Sequence, residues 1–385
     1  MHRIDRLTGE TIFIQPQAGE GEDFERFNWD APIVVSPHNP ATLYFASQRV
    51  WRSDDRGDSW TAISGDLTKD QERISLPIMG RVQSWDSPWD VGAMSNYNTI
   101  SSLSESPLQA GLIYAGTDDG TIQVTENGGS TWRKISTSTM PGVPDNAFVN
   151  DIRADLHDAN TVYVAMDNHK NGDFKPYLMK STDRGLTWRS ASKGFEEGNL
   201  IWRTVQDHVS PNLMFAATER GVFVSMDRAD SWMKLSSGLP TISLRDITIQ
   251  RRENDLVAAS FGRGFFILDD YSALRQMSKE SMKEMAALYP VKDALQFNQR
   301  SLIGNQGASI YQARNPEYGA VFTYHINDEV DNKKANRKKK EMELAKNNQD
   351  VPFPGWDALL AENEEEMPKL WFTITDSNGL SLIHI

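Results

Sequence analysis

An eight-residue pattern occurs four times in this chain and constrains its fold more than any other feature of the sequence. Three copies, SDDRGDSW, TENGGSTW and STDRGLTW, end at Trp60, Trp132 and Trp188. The fourth ends at Trp232 and carries Ala229 where the other three carry glycine. Successive tryptophans are 72 (60 to 132), 56 (132 to 188) and 44 (188 to 232) residues apart. The shortest spacing matches a unit of roughly 40–50 residues, which is typical of one four-stranded propeller blade.

Each position of the pattern, S/T-x-D/N-x-G-x-S/T-W, has a mechanical role in a tight hairpin turn. Asp or Asn accepts hydrogen bonds from nearby backbone N–H groups, glycine adopts positive φ, and the hydroxyl residue adds a local bond. The tryptophan anchors the turn on apolar surface. Alanine tolerates positive φ poorly, so we expect the turn at Ala229 to differ. We assign structural roles to the residues of these turns: Ser53, Asp55, Gly57, Trp60, Thr125, Asn127, Gly129, Trp132, Ser181, Asp183, Gly185, Trp188, Ser225, Asp227 and Trp232.

Short apolar segments surround every copy in the same order and predict four antiparallel strands in each unit. With the strands labelled A to D from the axis outward, the eight-residue turn joins C to D. A fifth unit continues to residue 268 without this turn, and residues 2–14 have the pattern of the outer strands of an earlier, truncated blade. We therefore predict an all-β fold, an incomplete propeller of four-stranded antiparallel blades from a ring of seven that upstream sequence would complete.

The pattern changes after residue 271. Residues 272–288 have helical spacing, and residues 291–297 are expected to supply the outer strand of the fifth blade. Two later segments alternate like strands of a β-sandwich and flank a charged insertion at about 327–368. We interpret the basic run in that insertion as a solvated helix beside acidic residues 362–366. The predicted organisation is a propeller over 1–297 and a partial β-sandwich over 298–385.

Composition narrows the classes of partner. The net charge of −13 and the low pI disfavour nucleic acid, because Lys and Arg supply most of the affinity for phosphate backbones. The longest apolar runs have the length of strands, so we predict no membrane span. The chain has no cysteine, which excludes disulfides and thiolate sites and leaves the compartment open. Residues 1–5 lack the apolar stretch of a secretion signal, which indicates a cytoplasmic protein or a fragment.

The four copies resemble the Asp-box, or bacterial neuraminidase repeat (BNR), family, which includes sialidases, xyloglucan-cleaving glycoside hydrolases and sortilin-type propellers. More closely, GTDDG from Gly116, STDRG from Ser181 and GRGFFILDD from Gly262 are similar to bacterial proteins labelled glycosyl hydrolase or sortilin N-terminal domain proteins. This resemblance implies a protein exported to the periplasm, cell surface or medium, with a second propeller upstream and an immunoglobulin-like end. RISLP from Arg73 breaks the R-I-P signature of sialidases, so we disfavour that activity.

The resemblance also implies that the repeated turns lie on the propeller face away from the ligand. The B–C and D–A connections then form the opposite face, which we predict to be the ligand face. Its longest connection is the insertion at residues 67–97. Aromatic rings beside carboxylates suit sugars, because ring faces stack and hydroxyls need acceptors. The candidate residues are Trp85, Asp86, Trp89, Asp90, Asp118, Asp119, Asp167, His169, Lys170, Asp173, Glu219, Arg220 and Arg263.

Two functions of different classes fit this face: an exported module that binds a glycan or a protein, and a xyloglucanase-like glycoside hydrolase. Hydrolysis normally needs two carboxylates about 5–5.5 or 6.5–9.5 Å apart. Acidic pairs are plentiful, but none stands in a motif that maps onto catalytic residues, so we favour binding and leave catalytic residues unassigned. The same acidic residues could simply close turns. His169 has no second histidine nearby, and we predict neither a metal nor a cofactor.

Overall fold

The computed structural model describes residues 1–78, 80–84, 86, 96–278, 280–298, 318–327, 331–366, 369 and 371–384. The chain divides into two compact units, Met1–Met277 and Ser278–Ile385. This boundary lies ahead of residue 297, where the sequence pattern suggests the end of the propeller. Among the described residues, no helix is long and apolar enough to cross a membrane.

The first unit is a series of antiparallel sheets, called blades I to V, in which each strand pairs with the next along the chain. A hairpin of β1 (His2–Ile4) and β2 (Thr11–Phe13) precedes them. Blade I contains β3 (Ile33–Val35), β4 (Leu43–Ala46), β5 (Val50–Ser53) and β6 (Thr61–Ala62). A small hairpin of β7 (Pro77–Ile78) and β8 (Arg81–Val82) follows. Blade II contains β9 (Ile100–Glu105), β10 (Ile113–Thr117), β11 (Thr121–Thr125) and β12 (Arg133–Ser136).

The later blades repeat this arrangement. Blade III contains β13 (Phe148–Ala154), β14 (Val162–Asn168), β15 (Asp173–Ser181) and β16 (Arg189–Ser190). Blade IV contains β17 (Ile201–Gln206), β18 (Met214–Thr218), β19 (Gly221–Ser225) and β20 (Met233–Leu235). Blade V has three strands in the described part of the chain: β21 (Leu244–Gln250), β22 (Asp255–Ser260) and β23 (Phe265–Leu268).

The core of the first unit lies between neighbouring blades. The two middle strands of blades II and IV are buried at every position, because another blade covers each face. Tyr114 and Ile122 of blade II share one apolar cluster with Val149 of blade III, and Tyr163 of blade III shares the next with Phe223 of blade IV. The innermost strands β9, β13, β17 and β21 lie side by side in chain order. Stacked antiparallel blades of this kind form a β-propeller, which confirms the fold predicted from the repeats.

The second unit combines short strands with two helices. β24 (Ala286–Leu288) pairs with β25 (Tyr324–Ile326), and β26 (Thr373–Thr375) pairs with β27 (Ser381–His384). The basic run forms α1 (Lys333–Lys346), which lies beside α2 (Trp356–Asn363). The Arg337 guanidinium bonds the Glu362 carboxylate at 2.6 Å, as expected for a solvated helix beside acidic residues. The immunoglobulin-like assignment of this unit stays a prediction.

Two segments near the boundary differ from expectation. Instead of one helix, residues 272–288 contain the short 3-10 helices Tyr271–Gln276 and Ser281–Lys283 followed by β24. Residues 291–297 form no strand, so they do not complete blade V. The physical reason is that β24 pairs with β25, which directs this part of the chain into the second unit.

The four repeated turns share one set of hydrogen bonds. In the first turn, the Ser53 hydroxyl accepts the Gly57 N–H at 2.7 Å and donates to the Asp55 carboxylate at 2.8 Å. That carboxylate accepts the N–H and the hydroxyl of Ser59 at 2.9 and 2.6 Å. The other three turns repeat this network, except that in the second turn the Asn127 amide donates to the Thr131 hydroxyl instead of accepting from it. The polar groups of each turn are therefore satisfied locally, which fits a structural role.

The tryptophan that ends a repeated turn connects its blade to the preceding blade. Its indole N–H donates to a backbone carbonyl just past the preceding outer strand, and we call this bond the blade latch. The three pairs are Trp60–Ile14 at 2.7 Å, Trp132–Ile63 at 3.1 Å and Trp232–Ala191 at 2.9 Å. Because Ile14 directly follows β2, the hairpin of β1 and β2 takes the C and D positions of a blade before blade I. Trp188 differs, since no described residue accepts its indole N–H.

The turn that contains alanine adopts the same conformation as the others, contrary to expectation. Ala229 has a φ of 65°, and its N–H donates to the Ser225 hydroxyl at 2.9 Å. At Gly129, by contrast, a Cβ atom would lie 2.5 Å from the Ile63 carbonyl oxygen, and isoleucines also face the other two turn glycines. Beside Ala229 the preceding blade presents the smaller Ala191, which lies in the same buried cluster. The smaller neighbour leaves room for the additional methyl group.

We expect Ala191→Ile to destabilise the protein by about 1–3 kcal/mol, because the larger side chain overpacks the space next to Ala229. Adding Ala229→Gly should recover at least half of that loss, whereas Ala229→Gly alone should change stability little. Urea unfolding of the two single variants and the double variant measures this coupling. Strictly additive effects would show that the two alanines are independent.

Candidate functional site

The D–A and B–C connections of blades II and III enclose a cavity of about 240 Å³ on the face opposite the repeated turns. Aromatic and aliphatic side chains form part of its wall, and carboxylate, amide and cationic side chains form the rest. The wall includes Arg73, Tyr97, Phe148, Asp118, Asp145, Asn146, Asp167, Asn168 and Lys170. The cavity therefore combines aromatic side chains with hydrogen-bonding groups, as many ligand sites do.

A chain of hydrogen bonds holds the Asp118 carboxyl at the cavity. Asp118 follows β10, and its oxygens accept the Thr99 N–H at 2.8 Å and the Thr99 hydroxyl at 2.7 Å. The Asn28 amide donates to the same hydroxyl at 2.8 Å. Only 5% of Asp118 is exposed, and burial raises the pKa of its carboxyl to about 7, although both Thr99 bonds oppose that shift. Asp118 can therefore hold or release a proton near neutral pH.

Asp119 does not line the cavity, and it holds the connection between blades I and II that contains Lys69. Its buried carboxylate accepts the Lys69 N–H at 2.6 Å. The Lys69 ammonium then bonds Asp145 at 2.7 Å and Asn146 at 2.6 Å. The bond from Lys69 lowers the pKa of Asp145. Asp119 thus acts as a structural anchor, whereas Asp145 presents a carboxylate to the cavity that stays ionised.

Two acidic residues of blade III have different positions. Asp167 is buried, lines the cavity, and accepts hydrogen bonds from the backbone and the ring Nδ1 of His169. Asp173 instead closes the hairpin between β14 and β15, because it accepts the Tyr177 hydroxyl at 2.5 Å and the Asn168 amide at 3.4 Å. Of the two, only Asp167 reaches the cavity.

None of the remaining described candidates lines this cavity. Glu219 is in the B–C turn of blade IV and accepts the Trp202 indole N–H at 3.0 Å. Arg220 lies 3.7 Å from Glu196, and Arg263 is exposed in the B–C turn of blade V. Asp86 accepts the Ser84 hydroxyl. Trp85, Trp89 and Asp90 lie outside the described residues.

Several residues that line the cavity or hold its side chains carry no sequence signal. Asn28 and Thr99 are 71 residues apart and belong to no motif, and Tyr97 and Phe148 are single aromatics next to strands. The repeat supplies the topology that brings them together, but only coordinates show which side chains converge. Among the described residues, no group of three or more His, Asp or Glu is placed to hold a metal ion.

No family model and no curated protein sequence matches the chain. Similar solved structures are β-propeller proteins. An ancestral GH74 enzyme is 16% identical over 61% of this chain and 28% of its own, with a TM-score of 0.45. The GH74 xyloglucanase from Xanthomonas campestris is 14% identical over 61% and 34%, with a TM-score of 0.43. The Swd1 β-propeller domain from Myceliophteria thermophila is 10% identical over 68% and 71%, with a TM-score of 0.44. The chain spans about a third of the length of the two GH74 proteins.

We expect the stability of the protein to fall, relative to Asp118→Asn, as the pH rises from 5 to 8. The folded state binds the Asp118 proton more tightly than the unfolded state between the ordinary pKa of 3.8 and the raised pKa of about 7. The difference in unfolding free energy between the wild type and Asp118→Asn should therefore change by at most about 1.4 kcal/mol per pH unit between these two pKa values, and it should level off at higher pH. Urea unfolding at several pH values measures it.

Asp55→Asn is the matched control. Hydrogen bonds from the hydroxyl and N–H of Ser59, and from Ser53, lower the pKa of Asp55 to about 2. Asp55 is therefore ionised throughout this range, and its variant should show a constant difference from the wild type between pH 5 and 8. A constant difference for Asp118→Asn as well would mean that Asp118 has no raised pKa.

Proposed function

We propose that the protein is a glycan-binding propeller and that its ligand occupies the cavity between blades II and III. The observation that carries this proposal is the combination of the aromatic side chains of Tyr97 and Phe148 with polar groups such as Asp118 and Asp167 in one concave site. Apolar faces of sugar rings stack on aromatic rings, and sugar hydroxyls pair with carboxylates and amides. The repeated turns lie on the opposite face and take no part in binding.

We further propose that the four turns are Asp-boxes and that the protein is exported. The shared hydrogen bonds of the turns support the first statement, because Asp or Asn organises each turn through its side chain. The motif resemblance supports the second. A protein ligand on the same face is the other form of the binding hypothesis, and the mixed wall of the cavity favours the glycan.

Glycoside hydrolysis is the second candidate function, and the raised pKa of the Asp118 carboxyl is the observation that favours it. A general acid must keep its proton at the working pH, and burial raises the pKa of Asp118 to about 7. Asp145 and Asp167 line the same cavity and are the carboxylates available for the second role. In this case Asp118 would protonate the departing sugar oxygen while one of the other carboxylates acts on the anomeric carbon or on water.

We expect Tyr97→Ala to weaken glycan binding about tenfold or more, because it removes a ring face from the cavity. Leu186→Ala is the matched control, since Leu186 is 68% exposed in a repeated turn on the opposite face. Calorimetry with a panel that includes xyloglucan oligosaccharides measures both. Equal loss in both variants, or loss in the control alone, would place the site elsewhere.

Release of reducing sugar from the glycans that bind separates the two functions. If the protein is a hydrolase, Asp118→Asn should abolish turnover while binding persists, and wild-type turnover should fall as the pH rises through about 7, because the acid form of Asp118 is then lost. Binding without turnover at any pH would leave the binding module as the function.

A further inference from the structure

An exposed arginine lies between two aromatic rings on the ligand face of blade V. The guanidinium carbon of Arg245, near the start of β21, is 3.6 Å from the centre of the Trp202 ring and 5.9 Å from that of Phe261. Trp202 is 5% exposed, so the cation covers the outer face of a buried indole. Stacking of this kind restricts the motion of the Arg245 side chain and fixes the plane of its guanidinium group.

The indole beneath Arg245 is itself held firmly. Its N–H donates to the Glu219 carboxylate at 3.0 Å, and Ser243 donates to the same carboxylate oxygen at 2.9 Å. The His169 ring meets Trp202 edge to face, with ring centres 6.1 Å apart. A carboxylate bonded to the indole N–H makes the ring face more negative, which strengthens its attraction for Arg245. Both bonds end on the same oxygen of Glu219, and no described bond joins this carboxylate to Arg245.

Arg245 differs from Arg49 and Arg275, two other stacked arginines, because no described residue supplies an anionic partner for it. Arg49 also lies over a tryptophan, at 4.7 Å, but it pairs with Glu22 and Glu25. Arg275 lies over Tyr271 and pairs with Asp207. Within the described residues, no carboxylate or carbonyl accepts a bond from the Arg245 side chain. Its forked N–H donors remain available, in the geometry that suits a bidentate carboxylate.

Adjacent residues of blade III connect the stacked arginine to the cavity. His169 contacts Trp202, and the next residue, Lys170, lines the cavity between blades II and III. An oligosaccharide of several sugar units that occupies the cavity would therefore extend toward Arg245. Arg263 is exposed in the B–C turn of the same blade and adds positive charge there, on a chain whose net charge of −13 otherwise repels anions.

We propose that Arg245 binds the carboxylate of an acidic sugar, so that the ligand of this face is a uronate-containing polysaccharide. This inference rests on the proposed glycan-binding function and specifies its substrate class. The sugar carboxylate would lie in the plane of the guanidinium and accept two parallel N–H bonds, while Trp202 and Phe261 hold that plane in position. A neutral polysaccharide would leave this site hydrated and unused.

The test uses oligogalacturonates and glucuronoxylan oligosaccharides, each beside its carboxyl-reduced counterpart, in calorimetry with the whole chain. The wild type should bind at least one acidic form about tenfold or more tighter than the reduced form, as expected for charge-assisted bonds. Arg245→Gln should remove that preference, and Arg245→Lys should keep only part of it because an ammonium lacks the fork. Arg252→Gln is the control, since it removes the same charge from a side chain of the same blade that is 82% exposed in the A–B turn.

Each other outcome is decisive. If the reduced form, or neutral xyloglucan alone, binds as well as or better than the acidic form, the assignment of Arg245 is wrong and the glycan-binding proposal stands. If the acidic preference survives in Arg245→Gln, another group binds the carboxylate and the assignment is again wrong. If neither the acidic, the reduced nor the neutral glycans bind, both proposals are wrong.

Discussion

The blade latch, an indole N–H bonded to a backbone carbonyl of the preceding blade, is the interaction that fixes the outer edges of the blades at three of the four repeated turns. Apolar clusters hold neighbouring blades together near the axis, but clusters of this kind tolerate sliding more readily than a directional hydrogen bond does. The latch fixes the turn of one blade against the edge of the one before. With that edge fixed, the B–C and D–A connections at the opposite ends of the strands have defined positions.

Local chemistry explains which parts of this structure the sequence reveals. Each repeated turn is closed by bonds within about four residues, so its form follows from the motif itself. Ala229 shows the limit of such reasoning, because the turn is accommodated by Ala191, a residue of the preceding blade. Residues 291–297 show the same limit. Their alternating pattern predicts a strand, but the pairing of β24 with β25 directs this part of the chain into the second unit. In both cases a residue or strand far away in the sequence determines the local structure, which the local sequence pattern does not.

The candidate site is harder to predict than the fold for the same reason. Sequence placed Asp118 and Asp119 together, yet one lines the cavity and the other anchors the Lys69 connection beneath it. Adjacent residues in a turn point in different directions, and composition alone does not separate them. Arg245 belongs to no motif, because its stacked position depends on Trp202, which lies on another blade. Connections from several blades form this face, so its side chains come together only when the blades pack against one another.

The latch also has a direction along the chain. In every case the tryptophan that donates follows its acceptor, by 46, 69 or 41 residues. During synthesis the acceptor strand therefore leaves the ribosome first, and each new blade meets a completed edge on which to close. Because proteins are made and often begin to fold from the N-terminus, such backward-facing bonds favour sequential addition of blades over simultaneous closure. At the three junctions that carry a latch, the direction of this hydrogen bond therefore favours assembly of the blades in chain order.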